Sequence, residues 1–215
     1  MSRAKKIARI LLDINAVTLN FRNPYRYASG LLSPIYCDNR LIMSYPEQRK
    51  IIVDSLLHLI EEKNFQFDVV SGIATAGIPH SAWIADRLNS PMVYVRGKKK
   101  NYGKKNRIEG KLRIGQKVLV VEDLISSGNS IITSIRILRQ FAVVEHCIAI
   151  FSYQLFEAQR NFTKANISCY ALSDFRTLID VAFSIGHITE EEKQKALIWN
   201  KNPENWNPQI VFSKD

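Results

Sequence analysis

The chain has 215 residues, of which 46% are hydrophobic and 23% are charged, as in an ordinary globular protein that buries a core without disulfides or structural metals. No apolar run approaches the ~20 residues of a membrane span, and the basic N-terminus lacks the apolar stretch and cleavage site of a secretion signal. The net charge of +10 is compatible with binding to nucleic acid, so the positions of the charges must decide whether nucleic acid is a candidate partner.

The first forty residues predict one helix followed by an irregular region. Residues 2–17 place Ile7, Ile10 and Ile14 on one face, which is the spacing of an amphipathic helix. Residues 21–40 are rich in aromatic residues, Pro and Gly, and this composition predicts short strands joined by turns.

The rest of the chain alternates apolar strands with helices. Ser44 and Glu47 have the spacing of a capping box, with Pro46 in the first turn, and predict a helix that runs to about residue 63. This alternation predicts an α/β fold with a parallel sheet covered on both faces, in which ligands bind at the carboxyl ends of the strands. The predicted strands are 67–74, 91–95, 117–121, 143–151 and 167–172; the predicted helices are 76–88, 129–141, 155–162, 173–185 and a last one capped by Thr189 and Glu192, before a tail without predicted structure.

The segment VLVVEDLISSGNS, residues 118–130, is the most informative part of the sequence. An apolar strand delivers Glu122 and Asp123 to the edge of the sheet, and a Ser/Gly-rich loop then opens a helix. Backbone N–H groups in such a loop and at a helix N-terminus bind anions, and Gly128 lets the backbone approach a phosphate closely. The loop lacks the Gly-Lys-Ser/Thr ending of a Walker loop, and no GxGxxG follows the first strand. The hydroxyl donors are Ser126, Ser127 and Ser130.

Two further segments follow strands of the predicted sheet. Residues 71–79, SGIATAGIP, turn from strand to helix through small residues. This pattern is as typical of an ordinary tight turn as of a loop that binds a ligand through its main-chain N–H groups. Residues 96–113 hold nine basic residues and one acid, so they carry +8 of the net charge, and they include three glycines. A concentrated cationic loop suits a compact polyanion at least as well as a long duplex. It is therefore either a solvated surface loop or a mobile lid that closes cations over a ligand.

The three cysteines are Cys37, Cys147 and Cys169, and neither a CxxC pair nor a histidine cluster accompanies them. This odd, widely spaced set indicates buried or incidental thiols in a reducing compartment, so we predict a cytoplasmic protein.

Residues 118–130 resemble the signature of the type I phosphoribosyltransferases. The stretch NPYRYASGLLSPIYCDNR (residues 23–40), together with NRIEG (residues 106–110), resembles the bacterial branch of the orotate phosphoribosyltransferase family. The resemblance covers roughly residues 5 to 185. It implies a type I phosphoribosyltransferase fold, in which helices flank a central parallel sheet and residues 23–40 form a small hood over the base.

The resemblance also implies one domain over residues 1–215. Residues 1–42 would form the N-terminal helix and the hood, residues 43–185 the α/β core with its lid at 96–113, and residues 186–215 the C-terminal helix and tail.

The implied activity is transfer of the 5-phosphoribosyl group from phosphoribosyl pyrophosphate (PRPP) to orotate, giving orotidine 5′-monophosphate and pyrophosphate in UMP biosynthesis. The implied cofactor is Mg²⁺, held mainly by PRPP and in part by Asp123 through water. The implied assembly is a homodimer whose lids reach into each other's active sites, with neither a nucleic acid nor a membrane as partner.

Site residues follow from the same resemblance. Lys100, Glu122 and Asp123 are the implied catalytic residues, and Ser126 also contacts orotate. Tyr102 stands where many members carry a lid histidine; it can donate a hydrogen bond but is neutral at pH 7. The implied PRPP-binding residues are Arg96, Lys100, Tyr102, Glu122, Asp123, Leu124, Ile125, Ser126, Ser127, Gly128, Asn129 and Ser130.

The chain departs from other branches of the family at two positions where those branches carry lysine, namely Ala28 in the hood and Ala76 in the 71–79 turn. An arginine that contacts orotate in some members also has no clear match near Tyr153 and Gln154, so base recognition differs as well. Hood backbone, Ser126 and Arg40 are the remaining candidates. Two alternatives stay open: a PRPP-dependent transferase for another base, and a PRPP-sensing regulator that binds nucleic acid. The regulator would need a DNA-binding module or a broad basic face, and neither is visible in the sequence.

Overall fold

The structure, a computed structural model, describes residues 1–27, 30–97 and 107–208. Among these residues the helices and strands alternate along most of the chain. The helices are α1 (Arg3–Asp13), α2 (Pro46–Glu62), α3 (Gly77–Arg87), α4 (Asn129–Leu138), α5 (Phe156–Ala165), α6 (Phe175–Ser184) and α7 (Glu190–Lys201), with 3-10 helices at Asn39–Ser44 and Pro203–Asn205. The strands are β1 (Val17–Leu19), β2 (Tyr25–Arg26), β3 (Leu32–Ser33), β4 (Ile35–Cys37), β5 (Val69–Ile73), β6 (Met92–Val95), β7 (Ile108–Glu109), β8 (Lys117–Ile125), β9 (Val143–Ser152) and β10 (Ser168–Asp174).

A six-stranded sheet forms the centre of the molecule, in the order β10-β9-β8-β5-β6-β7. All neighbours are parallel except the edge strand β7, which is antiparallel to β6. Successive residues of β8 pack into cores on opposite faces, with Leu119 and Val121 on one face and Val118 and Val120 on the other. This double burial explains why residues 118–121 of the strand are all apolar, as a parallel sheet with two covered faces requires.

The short strands predicted for the N-terminal region are present. β1 pairs antiparallel with β4, and β2 pairs antiparallel with β3. Each pair is only two or three residues long, so neither is stable on its own, and the hood depends on contacts with the rest of the chain.

Several predicted boundaries are wrong for local reasons. The first helix ends at Asp13 rather than at residue 17, since Asn15 takes a left-handed conformation with φ 56°. Tyr45, and not Ser44, is the N-cap of α2, and the expected capping box does not form because Ser44 ends the preceding 3-10 helix. The capping box of Thr189 and Glu192 is confirmed.

Two elements near the site also differ from expectation. β8 runs on to Ile125 instead of ending at residue 121, because β9 continues beside it and pairs with Leu124 and Ile125. The predicted basic loop contains the short strand β7, which pairs with β6.

In the described ranges, no helix has both the length and the apolar character needed to cross a bilayer.

Candidate active site

The two acids at the carboxyl end of β8 are held by hydrogen bonds on their main chain and side chains. Glu122 is only 6% exposed, and its Oε1 accepts a hydrogen bond from the N–H of Asp123 at 3.0 Å. The Asp123 carbonyl accepts a hydrogen bond from the side-chain amide of Asn39 at 2.8 Å. Asp123 itself is half-buried, so it is the more accessible carboxylate of the pair.

The turn at residues 71–79 lies directly against these acids. Gly77 begins α3, and a Cβ atom at this position would stand 2.6 Å from the carbonyl oxygen of Val121 and 3.3 Å from Oε1 of Glu122. No side chain fits there, so the glycine is required by close packing of the helix start on the end of β8. The structure thus brings the second sequence segment next to the first.

Burial raises the pKa of both carboxyl groups. Burial, followed by repulsion from Asp123, raises the pKa of Glu122 well above its ordinary value. Burial also raises the pKa of Asp123, although hydrogen bonds from Glu122 and from the backbone work in the opposite direction. Two carboxyl groups with raised pKa values at the end of a parallel strand are typical of a functional site.

The turn after β8 has the geometry of an anion site. It consists of Ser126, Ser127 and Gly128, of which Gly128 has a left-handed φ of 78°. A Cβ at that glycine would meet the Phe162 ring at 2.8 Å. The side-chain amide of Asn161, in α5, donates a hydrogen bond to the carbonyl of Ser127 at 3.0 Å, so α5 helps to hold the turn in place.

Helix α4 begins at Asn129, and its first turn carries no acidic residue and, among the described residues, no side chain that caps it. The first N–H groups of this helix therefore face the turn and favour a negative charge there. Asn129 and Ser130 are exposed, and the Asn129 side chain donates to Oε1 of Glu157 at 3.2 Å. Asn129 consequently offers the site its backbone rather than its side chain.

A cavity of about 740 Å³ separates the hood from this turn. Ser126 and Ser127 line one side, and Tyr27 and Leu32 of the hood line the other. Trp199 and Trp206 close it from the C-terminal segment. The volume lies within the range of small-molecule sites. Leu124 and Ile125, which were expected in the loop, instead belong to the paired strand that leads to it.

The base of the basic loop is an antiparallel ribbon. The Arg96 guanidinium lies 3.3 Å from the Glu109 carboxylate, across the β6–β7 pair. Arg107 ties the two ends together, since its guanidinium donates to the carbonyls of Arg96 and Gly97 at 3.3 and 2.8 Å. Lys100, Tyr102 and Ala28 lie outside the described residues, so their assigned places stay predictions.

Comparison with known proteins gives the family. A family model for the phosphoribosyl transferase domain matches residues 45–159. The orotate phosphoribosyltransferase of Coxiella burnetii is 61% identical over 209 residues, 97% of this chain and 100% of that protein. The enzyme of that name from Halalkalibacterium halodurans is 50% identical over 198 residues, 92% of this chain and 94% of that protein.

This chain belongs to the orotate phosphoribosyltransferase family. A solved orotate phosphoribosyltransferase from Aeropyrum pernix has a TM-score of 0.73 and 26% identity, covering 85% of this chain and 99% of that one. The predicted type I phosphoribosyltransferase fold is thereby confirmed, with β7 as the antiparallel exception in its sheet.

The site of this orotate phosphoribosyltransferase family member includes supporting residues that the sequence analysis missed. Asn39 was within the quoted hood stretch and could have been singled out as a polar residue in a largely aromatic segment. Gly77 was in the quoted turn. Asn161 and Phe162 lie far along the chain in a helix with no motif, and no sequence signal pointed to them. Arg40 is not among the described residues that line the cavity; its guanidinium pairs with Asp38 at 2.6 Å.

Proposed function

We propose that this phosphoribosyltransferase moves the 5-phosphoribosyl group of PRPP to orotate, giving orotidine 5′-monophosphate and pyrophosphate in UMP biosynthesis. One observation carries the proposal. The turn at Ser126–Gly128 and the start of α4, which no described side chain caps, follow closely on the buried Glu122 and the half-buried Asp123, and a cavity under the hood opens on the same turn. A phosphate seat, a sugar-binding pair and a space for a base are therefore adjacent.

Each part of PRPP has a counterpart in this arrangement. The backbone N–H groups of the turn, the start of α4 and the hydroxyls of Ser126, Ser127 and Ser130 suit the dianionic 5′-phosphate. Asp123, which is the more exposed acid, suits the ribose hydroxyls, and Glu122 behind it fixes its main chain. Ser126 lines the cavity as well as the turn, so it suits contact with the base.

The reaction requires little covalent chemistry from the protein itself. The bond between the anomeric carbon and pyrophosphate breaks, the bond to the pyrimidine ring nitrogen forms, and that nitrogen loses its proton. The transition state has oxocarbenium character, as in glycoside chemistry. The chain must hold both reactants in line and neutralise the departing pyrophosphate. Lys100, with Arg96 and Tyr102, is proposed to supply that neutralisation from the lid.

Magnesium fits this donor set. Glu122 and Asp123 offer carboxylate oxygens, which Mg²⁺ prefers, and within the described ranges no cluster of three or more His, Cys, Asp or Glu side chains could enclose a metal. Two acids suit an ion held mainly by substrate oxygens, with Asp123 bound through water. When bound, the ion would act as a Lewis acid and template for the pyrophosphate and ribose oxygens.

We further propose a cytoplasmic homodimer in which each lid reaches the partner's active site. The alternatives are less favoured. The two relatives described above both carry the orotate phosphoribosyltransferase name, whereas a transferase for another base would be expected to differ in the hood.

The decisive experiment follows the loss of orotate absorbance on addition of PRPP, with and without Mg²⁺. We expect turnover that requires both PRPP and the metal ion, and no turnover of guanine, adenine or uracil. Turnover of another base but not of orotate would overturn the substrate assignment. Steeply salt-dependent binding of RNA or DNA without any turnover would instead favour the regulator.

A further inference from the structure

Tyr153, the first residue after β9, joins three separate parts of the site through its main chain and ring. Its N–H donates a hydrogen bond to the carbonyl of Ile125, at the start of the anion-binding turn, at 2.9 Å. Its carbonyl accepts a hydrogen bond from the side-chain amide of Asn200 in α7 at 2.6 Å. The Tyr153 peptide unit is therefore fixed between the turn and the C-terminal helix.

The Tyr153 side chain continues the connection into the hood. Its hydroxyl lies 3.3 Å from the hydroxyl of Tyr27. Tyr27 gives its only hydroxyl proton to the carbonyl of Ile35 at 2.8 Å, so Tyr153 is the donor between the two rings. Tyr153 is 3% exposed, and a buried hydroxyl pair of this kind fixes the relative position of the elements that carry it.

Trp199 makes the second link between α7 and the hood. Its indole N–H donates to the carbonyl of Leu32 at 3.1 Å. Its ring is fully buried, with the Tyr153 ring edge-on at 5.8 Å and the Phe175 ring at 5.5 Å. The same side chain lines the cavity beneath the hood. Trp199 therefore bonds to the hood, packs on Tyr153 and forms part of the cavity wall.

We infer that α7 holds the hood in its base-binding position through Trp199 and Asn200, which makes these two residues positioning residues for the base. The inference rests on the proposed function of the cavity. The hood needs contacts of this kind, because strand pairs of two or three residues do not keep their position alone. The acid pair lies within β8 of the central sheet, and the bonds of Trp199 and Asn200 go to Leu32 and Tyr153 instead, so PRPP binding should depend on this link much less than orotate binding does.

The test compares steady-state kinetics of Asn200→Ala and Trp199→Phe with the unmodified full-length chain. Each variant removes one donor, and phenylalanine keeps most of the aromatic packing. If the hood then holds its binding position about one-tenth of the time, KM for orotate rises ~10-fold, while kcat and KM for PRPP change less than about twofold. Gln194→Ala is the matched control, since Gln194 lies on the same helix and bonds only with Glu190 among the partners described.

A purely structural role would give a different pattern: a lower thermal midpoint and a smaller active fraction reduce kcat and leave KM for orotate unchanged. Tyr153→Phe provides a milder variant, because it loses one hydroxyl and keeps the ring, and it should also raise KM for orotate. An unchanged KM for orotate in all three variants overturns the inference. Absence of orotate turnover in the unmodified chain overturns the proposed function, and the inference with it.

Discussion

The side-chain amide of Asn39 donates a hydrogen bond to the main-chain carbonyl of Asp123 across 2.8 Å, joining residues 84 positions apart in the sequence. Asn39 is fully buried. Since this bond fixes the end of β8 to the hood, it fixes the acid pair relative to whatever binds under the hood. Geometry at a reacting centre matters steeply, as a displacement of about 1 Å can cost about 10²-fold in rate.

Asn39→Ala should therefore reduce kcat/KM by up to about 10²-fold and lower the free energy of unfolding by about 1–3 kcal/mol, because it leaves a buried carbonyl without its donor. Steady-state kinetics and urea unfolding measure the two effects. Asn205→Ala, which removes an exposed amide that contacts only Asn202 among the bonds described, should change neither. A native kcat/KM in Asn39→Ala would remove the positioning role.

Asp123→Asn should weaken the use of PRPP far more than it weakens folding. Loss of one charged group positioned to interact with the transition state typically lowers the rate ~10²–10³-fold. Folding should be affected less, because the asparagine amide fits the same half-buried space. Asp68→Asn is the control, because Asp68 accepts a bond from the N–H of Lys117 at the opposite end of the same strand. We expect kcat/KM for PRPP to fall in the first variant only; PRPP kinetics like those of the wild type would refute the assignment.

Glu122 should make stability depend on pH in the ligand-free protein. Burial raises its pKa well above 4.5. A carboxyl group whose pKa is higher in the folded than in the unfolded state stabilises folding at low pH, and this contribution is lost as pH rises through the folded-state pKa. Glu122→Gln has no such ionisation. The free energy of unfolding of the wild type should fall relative to that of Glu122→Gln as pH rises above 4.5, and urea unfolding at several pH values measures this. Parallel pH curves would contradict it.

Gly128→Ala should damage the anion-binding turn for two separate reasons. The left-handed φ costs a non-glycine residue about 1–2 kcal/mol, and the new methyl group would meet Phe162. We expect lower stability and a higher KM for PRPP. Adding Phe162→Leu should relieve only the steric part, so a double-mutant cycle should show coupling between the two positions. Strict additivity would mean that the ring does not restrict the turn.

Lys100→Ala should lower kcat by about 10²–10³-fold with unchanged unfolding, if the lid neutralises the departing pyrophosphate. Lys111→Ala removes an exposed positive charge from the same basic segment and is the matched control. Equal, small effects of both changes would mean that the segment acts only through its general charge. An unchanged kcat in Lys100→Ala would remove the lid from the mechanism.

The sequence predicted the sheet because its strands are buried on both faces, which leaves an apolar run that cannot be mistaken for an exposed strand. It also predicted that Glu122 and Asp123 lie at the carboxyl end of a buried strand and that a turn containing Gly128 follows them; the binding roles of these residues stay predictions. The end of β8 could not be predicted. Leu124 and Ile125 are paired only because β9 happens to extend beside them, and that is a tertiary effect.

The supports of the site were the least predictable part. Asn39, Asn161 and Trp199 each donate a side-chain hydrogen bond to a carbonyl group distant in sequence, and such bonds leave no periodicity or spacing in the sequence. The capping box at Thr189 was predictable since both partners lie within one turn of helix. The failed box at Ser44 shares that spacing but was displaced by a neighbouring 3-10 helix.

The bond between Trp199 and Leu32 spans 167 residues, and this separation matters during synthesis on the ribosome. At ~5–20 residues per second, the hood is made roughly 8–33 s before the helix that holds it. Throughout that interval the aromatic residues of the nascent N-terminal segment are not yet packed against α7. The growing chain should therefore be most prone to aggregation, and most dependent on chaperones, before α7 has emerged.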